Sequence, residues 1–177
     1  FQDQGYLIVS VQLPDAASLQ RTKDVMRQVD DIVGEYKADA KGNPGKSGKG
    51  VANTIVISGT SVVLQTNGSN FASMFIILDD FKNREGDPKQ NGFQLMFDLQ
   101  ARLRRDVADA RVDVFPPPPV RGLGQAGGYK LMVEDRGDLG PEGLEEQAQA
   151  LIAAMRKDPL LGSPFTVYRA DIPQLYV

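Results

Sequence analysis

Between residues 5 and 116 the hydrophobic period switches from two to about 3.6 and back, twice over, and few folds accept that order. Residues 6–13 alternate, with Leu7, Val9, Val11 and Leu13 on one face and Tyr6, Ile8, Ser10 and Gln12 on the other. This predicts a strand with one apolar and one mixed face, stopped by Pro14-Asp15. Ser18 stands where a helix cap is needed. The helix it opens carries Leu19, Val25, Met26, Val29, Ile32, Val33 and Tyr36, mostly three, four or seven apart, as one stripe. Residues 37–50 are polar and rich in Gly and Lys, the composition of a linker. Ile55, Val56 and Ile57 then give a β-branched strand that ends at Ser58-Gly59. A second apolar run, Met74 to Leu78, ends at Asp79-Asp80. The intervening segment, about a dozen residues of Gly, Ser, Thr and Asn, reads as a long loop. It carries Val62, Val63, Leu64 and Phe71, so it is expected to touch something apolar.

Residues 82–91 read as a charged loop, and residues 93–110 as a second helix with Leu95, Met96, Leu99, Leu103 and Val107 on one stripe. Arg102, Arg104 and Arg105 suit its C-terminal end, where the helix dipole favours cations. Residues 112–115 form a short strand stopped by Pro116 to Pro119. The order is β-α-β-β-α-β, which predicts an α+β fold of the ferredoxin-like split βαβ type. That fold has an antiparallel sheet in the order 4-1-3-2 with its helices on one face. Residues 121–128 are a connector, and the pattern then restarts. Residues 129–133 read as a strand, Pro141 opens a helix with Leu144, Ala148, Leu151, Ile152 and Met155, and residues 165–168 read as another strand. Residues 1–120 are thus one subdomain, and 121–177 an additional βαβ half-unit.

Composition narrows function by exclusion. Neither cysteine nor histidine occurs among the 177 residues. Disulfides, thiolate chemistry and the commonest general base and metal ligand are absent together. A net charge of −3 disfavours a nucleic-acid partner. Two sequence patterns invite nucleotide binding and fail on context. Residues 40–47, AKGNPGKS, fit a relaxed phosphate loop, but a helix precedes and a strand follows, the reverse of what the chemistry requires. Residues 122–127, GLGQAG, fit G-x-G-x-x-G but lead into a strand. Asn67-Gly68-Ser69 is a frequent tripeptide, and the pairs Asp79-Asp80 and Glu145-Glu146 lack any base or ligand partner in the pattern. No catalytic residue, cofactor or metal ligand is assigned, and the chain is not expected to be an enzyme. A free-standing ferredoxin-like ligand-binding or interaction domain is the alternative that composition alone leaves open.

Five segments together resemble one family. They are Asp3-Gln4-Gly5-Tyr6 with Val11-Gln12-Leu13-Pro14; Ser58-Gly59 with Thr66-Asn67-Gly68-Ser69-Asn70-Phe71; residues 74–81; Gly122-Leu123-Gly124 with Gly127-Gly128; and Pro173-Gln174-Leu175-Tyr176-Val177. In this order and spacing they resemble the periplasmic porter domain of bacterial resistance-nodulation-division (RND) efflux transporters, in the AcrB-like hydrophobe/amphiphile branch. The resemblance implies a soluble periplasmic piece of a proton-driven inner-membrane exporter of drugs or other amphiphilic solutes. It places residues 1–120 on the first porter subdomain of the C-terminal half. Residues 121–177 fall on the start of the next subdomain, before a docking-domain insertion. It implies as partners the rest of a trimeric transporter, a periplasmic adaptor and an outer-membrane channel. Ile8, Gln12, Ile55, Val62, Leu64, Phe71, Phe75 and Phe115 become candidates for substrate contact. Gly59, Thr60, Asn67, Gly68 and Asn70 become candidates for a mobile switch loop, which here carries Val62, Val63 and Leu64 where aromatic residues can occur. A metal-exporting branch is the alternative within the family, but Met26, Met74, Met96, Met132 and Met155 are scattered rather than clustered. The half-unit supplies only strands 1 and 2 of its sheet, with the place of strand 3 between them empty, which predicts a homodimer of this chain through residues 129–177.

Overall fold

The computed structural model describes residues 3–38, 45, 50–86, 88–119, 126–158, 161, 164, 166 and 168–170. The phosphate-loop-like segment apart from Gly45, most of the second glycine pattern and the C-terminal Pro173–Val177 lie outside them.

The first unit is the expected sandwich. Strands β1 (Tyr6–Gln12), β2 (Val51–Ser61), β3 (Thr66–Leu78) and β4 (Arg111–Phe115) form one four-stranded sheet in the order β2-β3-β1-β4. All three neighbouring pairs are antiparallel. Helix α1 (Leu19–Gly34) lies against β2 and β3. Two further helices follow β3: a single turn α2 (Phe81–Arg84) and then α3 (Gly92–Asp106), which covers β4 and β1. Alternation decides which side chains meet these helices. Leu7, Val9 and Val11 of β1, Ala72, Met74 and Ile76 of β3, and Val112 and Val114 of β4 join Val25, Met26, Val29 and Val33 of α1 and Leu95, Leu99 and Leu103 of α3 in one core. Each such buried aliphatic stabilises by roughly 1.5–3 kcal/mol. The Ser18 hydroxyl accepts from the Arg21 N–H at 3.2 Å, so the predicted cap forms.

Three local expectations are corrected. The long loop between β2 and β3 is a hairpin: β2 continues to Ser61, β3 starts at Thr66, and only residues 62–65 turn. Gly59, Thr60, Asn67, Gly68 and Asn70 therefore lie in strands. Asn and Gly have weak strand propensity, and tertiary bonds override it here. Leu13 donates its N–H to the Asn70 carbonyl at 2.9 Å, Thr22 Oγ1 donates to the Ser69 carbonyl at 2.6 Å, and Ser69 Oγ to the Ala17 carbonyl at 2.8 Å. Gly59 takes φ +90°, a backbone that favours glycine, at the irregularity where β2 bends. The second correction is the charged loop at 82–91, which contains α2 and a 3₁₀ turn at Pro88–Gln90. The third is the end of α3, at Asp106 rather than residue 110. Val107 leaves the helix and buries itself in the core.

The chain forms two compact units, Phe1–Gly128 and Tyr129–Val177. Gly127 donates to the Pro116 carbonyl at 2.7 Å, which ties the connector to the first unit. A side chain at Gly127 would collide with Pro116 and Pro117. The second unit, Tyr129–Val177, holds helix α4 (Gly140–Met155), with Pro141 in its first turn and Ala148 and Ile152 buried. The Asp135 carboxylate accepts from the N–H groups of Gly137 and Gly140 and so starts the helix. Backbone N–H donation from Leu139, Gly137 and Gly140 outweighs desolvation and holds the Asp135 carboxyl below its ordinary range. Ala170 N–H donates to Glu145 Oε2 at 2.7 Å, so the chain after α4 returns along it. Residues 129–133 were expected as a strand but have no ladder among the described residues, because a strand exists only against a neighbour. Of residues 165–168, Phe165 and Val167 lie outside the described residues; Thr166 and Tyr168 join no ladder.

Candidate functional site

The described helices of the first unit pack on one face of its sheet, and the other face carries the candidate site. On β1 it presents Tyr6, Ile8, Ser10 and Gln12, the mixed set of the sequence pattern. The register aligns the remaining strands. Ile55 pairs with Phe75, Phe75 with Ile8, and Ile8 with Phe115, so four predicted contact residues form one row across all four strands. Gln12 pairs with Phe71 and with Arg111 in a second row. Between these rows runs a polar one, Ser73–Ser10–Asp113, with Ile57 at its β2 end. On the far side of the aromatic row, Ile77 pairs with Tyr6, and the Tyr6 and Phe75 ring centroids stand 6.5 Å apart. Ile55 is 54% exposed, whereas Ile8 is buried between its aromatic neighbours and forms a floor rather than a contact surface.

The hairpin tip folds over this face. Ser73 lies between Ala72 and Met74, both in the core, so its side chain points to the helix-free side. Its Oγ donates to the Thr60 carbonyl at 3.1 Å and accepts from the Val62 N–H at 2.9 Å. Ser73 is fully buried as a result. Val62 and Leu64, in the turn that these bonds pin, are both half-buried. The Leu64 N–H is held by Ser61 Oγ at 3.3 Å, and Thr60 Oγ1 donates to Asn67 Oδ1 at 3.0 Å across the hairpin. Asn70 points elsewhere: its side chain is buried and donates to the Leu13 carbonyl and Asp15 Oδ1, both at 3.2 Å, which anchors the root of the hairpin.

Sequence reading missed the polar end of the site. Asp113 is buried and accepts from Arg111 Nε at 2.9 Å and from Arg104 Nη2 at 2.5 Å. Arg111 stands two residues from Asp113 on the same strand, hence on the same face. Arg104 reaches it from α3 around the edge of β4. The alternation ending at Phe115 would have placed Arg111 and Asp113 beside the aromatic row. Only the fold could bring in Arg104. A second missed feature fixes the other end of the sheet. Arg84 is buried and its Nη1 donates to Asp3 Oδ2 at 2.7 Å. Asp3 also accepts from the Gly5 N–H at 2.8 Å and the Gly92 N–H at 3.0 Å. Burial opposes its ionisation, yet the guanidinium and these N–H groups win, and the carboxyl is held below its ordinary range.

What this arrangement can do is bind: a row of aromatic and branched side chains offers apolar area, and the row beside it offers hydroxyls and one compensated charge. No helix among the described residues is long and apolar enough to cross a membrane.

A profile of the AcrB/AcrD/AcrF family matches residues 1–177. Among curated relatives, the multidrug/solvent efflux pump membrane transporter MepB of Pseudomonas putida is 29% identical over 172 residues, 92% of this chain and 14% of that protein. The solvent-resistant pump membrane transporter SrpB of the same species is 27% identical over 179 residues, covering 99% of this chain and 15% of its own. The multidrug export protein AcrF of Escherichia coli K12 is 26% identical over 158 residues, covering 89% and 14%. The chain thus spans about one-seventh of the length of the curated relatives it matches.

Proposed function

The chain belongs to the AcrB/AcrD/AcrF family of efflux transporters, and from that premise we propose that its helix-free sheet face is a wall of the substrate path in a proton-driven exporter. The observation that carries this reading is the row Ile55–Phe75–Ile8–Phe115, which gathers four candidates from four strands onto the face opposite the first unit's helices. A sheet face of this composition normally packs on a second layer. An apolar solute moving along it would gain burial without the face having to close on it permanently. The hairpin tip, pinned at Ser73, supplies Val62 and Leu64 as an overhang, and its release is the motion this site would use. We assign the chain to the periplasmic side of the inner membrane, as part of a trimeric assembly with an adaptor and an outer-membrane channel. The names of the relatives support export of solvents and drugs.

The test is made in the whole transporter that contains this chain. Phe75→Ala should lower resistance to apolar toxic compounds several-fold while protein level is unchanged. Phe97→Ala, on the exposed face of α3, should change neither. Equal resistance in both variants would refute the wall.

Alone, the chain carries a further apolar surface on its second unit. Tyr129, Leu131, Met132 and Val133 are all exposed on a segment with no ladder. We propose that two copies associate through residues 129–177, each segment serving as the other's neighbour across a two-fold axis.

A further inference from the structure

Asn-Gly occurs twice in the chain, at 67–68 and at 91–92, and the fold treats the two pairs in opposite ways. The dipeptide carries its own reaction. Glycine has no side chain to shield its backbone nitrogen, and that nitrogen lies one ring closure from the carboxamide carbon of the preceding asparagine. At the second pair the nitrogen is occupied. Gly92 is buried and its N–H donates to Asp3 Oδ2 at 3.0 Å, while Asn91 caps α3 by accepting from the Phe93 N–H at 3.0 Å. Ring closure there would undo the start of a helix and set a nitrogen anion against a carboxylate.

The first pair is open. Asn67 is exposed and pairs with Thr60, and the next β2–β3 pair is Ser58 with Ala72, so Gly68 has no place in that ladder. Nor has it a place in the β1–β3 ladder, which reaches only to Phe71. The Asn67 carboxamide is also polarised. Thr60 Oγ1 donates to Asn67 Oδ1 at 3.0 Å, and this is the oxygen on which negative charge grows when a nucleophile adds to Cγ.

We propose that Asn67 is a self-modifying site, converted to aspartate and isoaspartate by attack of the Gly68 nitrogen with Thr60 as the oxyanion donor. The Gly68 nitrogen gives its proton to solvent and bonds to Asn67 Cγ. The Cγ–Nδ2 bond then breaks, Nδ2 takes up a proton and leaves as ammonia, and a cyclic imide remains. Water adds to either imide carbonyl and opens the ring. One opening restores the backbone and leaves an aspartate; the other leaves an isoaspartate, with one more carbon in the backbone. Amide and water are consumed, and carboxylate and ammonium are formed. The hairpin makes this change matter. No charged residue occurs from Val51 to Leu78, so the new carboxylate is the first charge on β2 and β3. Thr60 donates to a carboxylate as it does to the amide, so the aspartate keeps the bond across the hairpin. The extra carbon of the isoaspartate shifts the pairing with Thr60 and loosens the tip. This chemistry is independent of what the sheet face binds.

Ageing the 177-residue chain in mildly alkaline buffer tests this, with peptide mapping by mass spectrometry and chromatographic separation of the aspartyl and isoaspartyl products. In the folded chain Asn67 should convert at least about ten-fold faster than Asn91, whose reaction must first open a helix start. In denaturant the two should convert at like rates. Thr60→Val should slow Asn67 about three-fold, the worth of one net hydrogen bond, and leave Asn91 unchanged. Thr60→Ser, which keeps the hydroxyl, should restore the rate. Asp3→Ala, which frees the Gly92 N–H, should speed Asn91 and leave Asn67 as in wild type. Equal rates at Asn67 and Asn91 in the folded chain would overturn the proposal, and so would a Thr60→Val rate equal to that of wild type. An Asn67 that stays intact in the folded chain but converts in denaturant would show that the hairpin protects the site, and the proposal fails.

Discussion

Asp3 and Arg84 show how much one residue pair can hold. Arg84 joins three places: its Nε donates to the Asp79 carbonyl at 2.7 Å, its Nη1 to the Gln90 carbonyl at 3.1 Å and to Asp3. Its guanidinium also stacks 4.9 Å from the Phe81 ring centre. Its Nη2 has no hydrogen-bond partner among the described residues, so this buried cation is already short of acceptors. Removing the carboxylate would leave it unpaired, and Asp3→Asn should cost about 1–3 kcal/mol in denaturant unfolding near neutral pH. The sign of the pH dependence follows from the lowered carboxyl. The pair contributes fully above the ordinary value of 3.8 and fades as pH falls through the lower folded value. Wild type and Asp3→Asn should therefore draw together in stability as pH falls below 3.8. A gap that stays constant from pH 7 down to pH 2 would show that the ionised form of Asp3 is not what stabilises the fold.

The β2–β3 hairpin is the element on which the proposed site turns. Its root is tied to the loop between β1 and α1 through Ser69 and Asn70, and its tip to the sheet face through Ser73 alone among the hydrogen bonds described above. Ser73→Ala removes a buried acceptor for the Val62 N–H and a donor to the Thr60 carbonyl, at a cost of about 1–2 kcal/mol. We expect amide exchange to quicken at residues 60–66 and to stay slow at residues 72–78, where β1 still pairs with β3. Uniform acceleration along the hairpin would mean that the tip is not a separate unit. At the opposite edge, Gln100 acts for a missing strand. Its Nε2 donates to the Val112 carbonyl at 2.9 Å and its Oε1 accepts from the Val114 N–H at 2.7 Å, so the carboxamide fills the open edge of β4. That guards an edge that would otherwise invite pairing with another chain.

At the scale of the whole molecule the two units differ in kind: the first has one continuous core, while the described residues of the second are a helix with short flanking segments. Light scattering after size exclusion should give a dimer for the full chain at high micromolar concentration and a monomer for residues 1–128; a monomeric full chain would remove the proposed association. The order of elements in the first unit was legible because each apolar stripe follows its own period, and periodicity is a local property that a sequence records. The capping serine, the alternation on β1 and the faces it defines belong to the same class. So does the family resemblance, which a profile over residues 1–177 bears out. What the sequence could not specify were features whose partners are distant. Residues 66–70 look like a loop until Leu13, Ala17 and Thr22 take their hydrogen bonds, and Arg84 looks like surface charge until Asp3 arrives from the other end of the unit. Ile8, Ile55, Phe75 and Phe115 are four unremarkable apolar residues until strand register sets them in a row, and Arg104 meets Asp113 only around a folded edge. Period and propensity act between neighbours along the chain, and they determined the elements. Register, ion pairing and the closing of the hairpin act between residues brought together by folding, so only the tertiary structure decided the site.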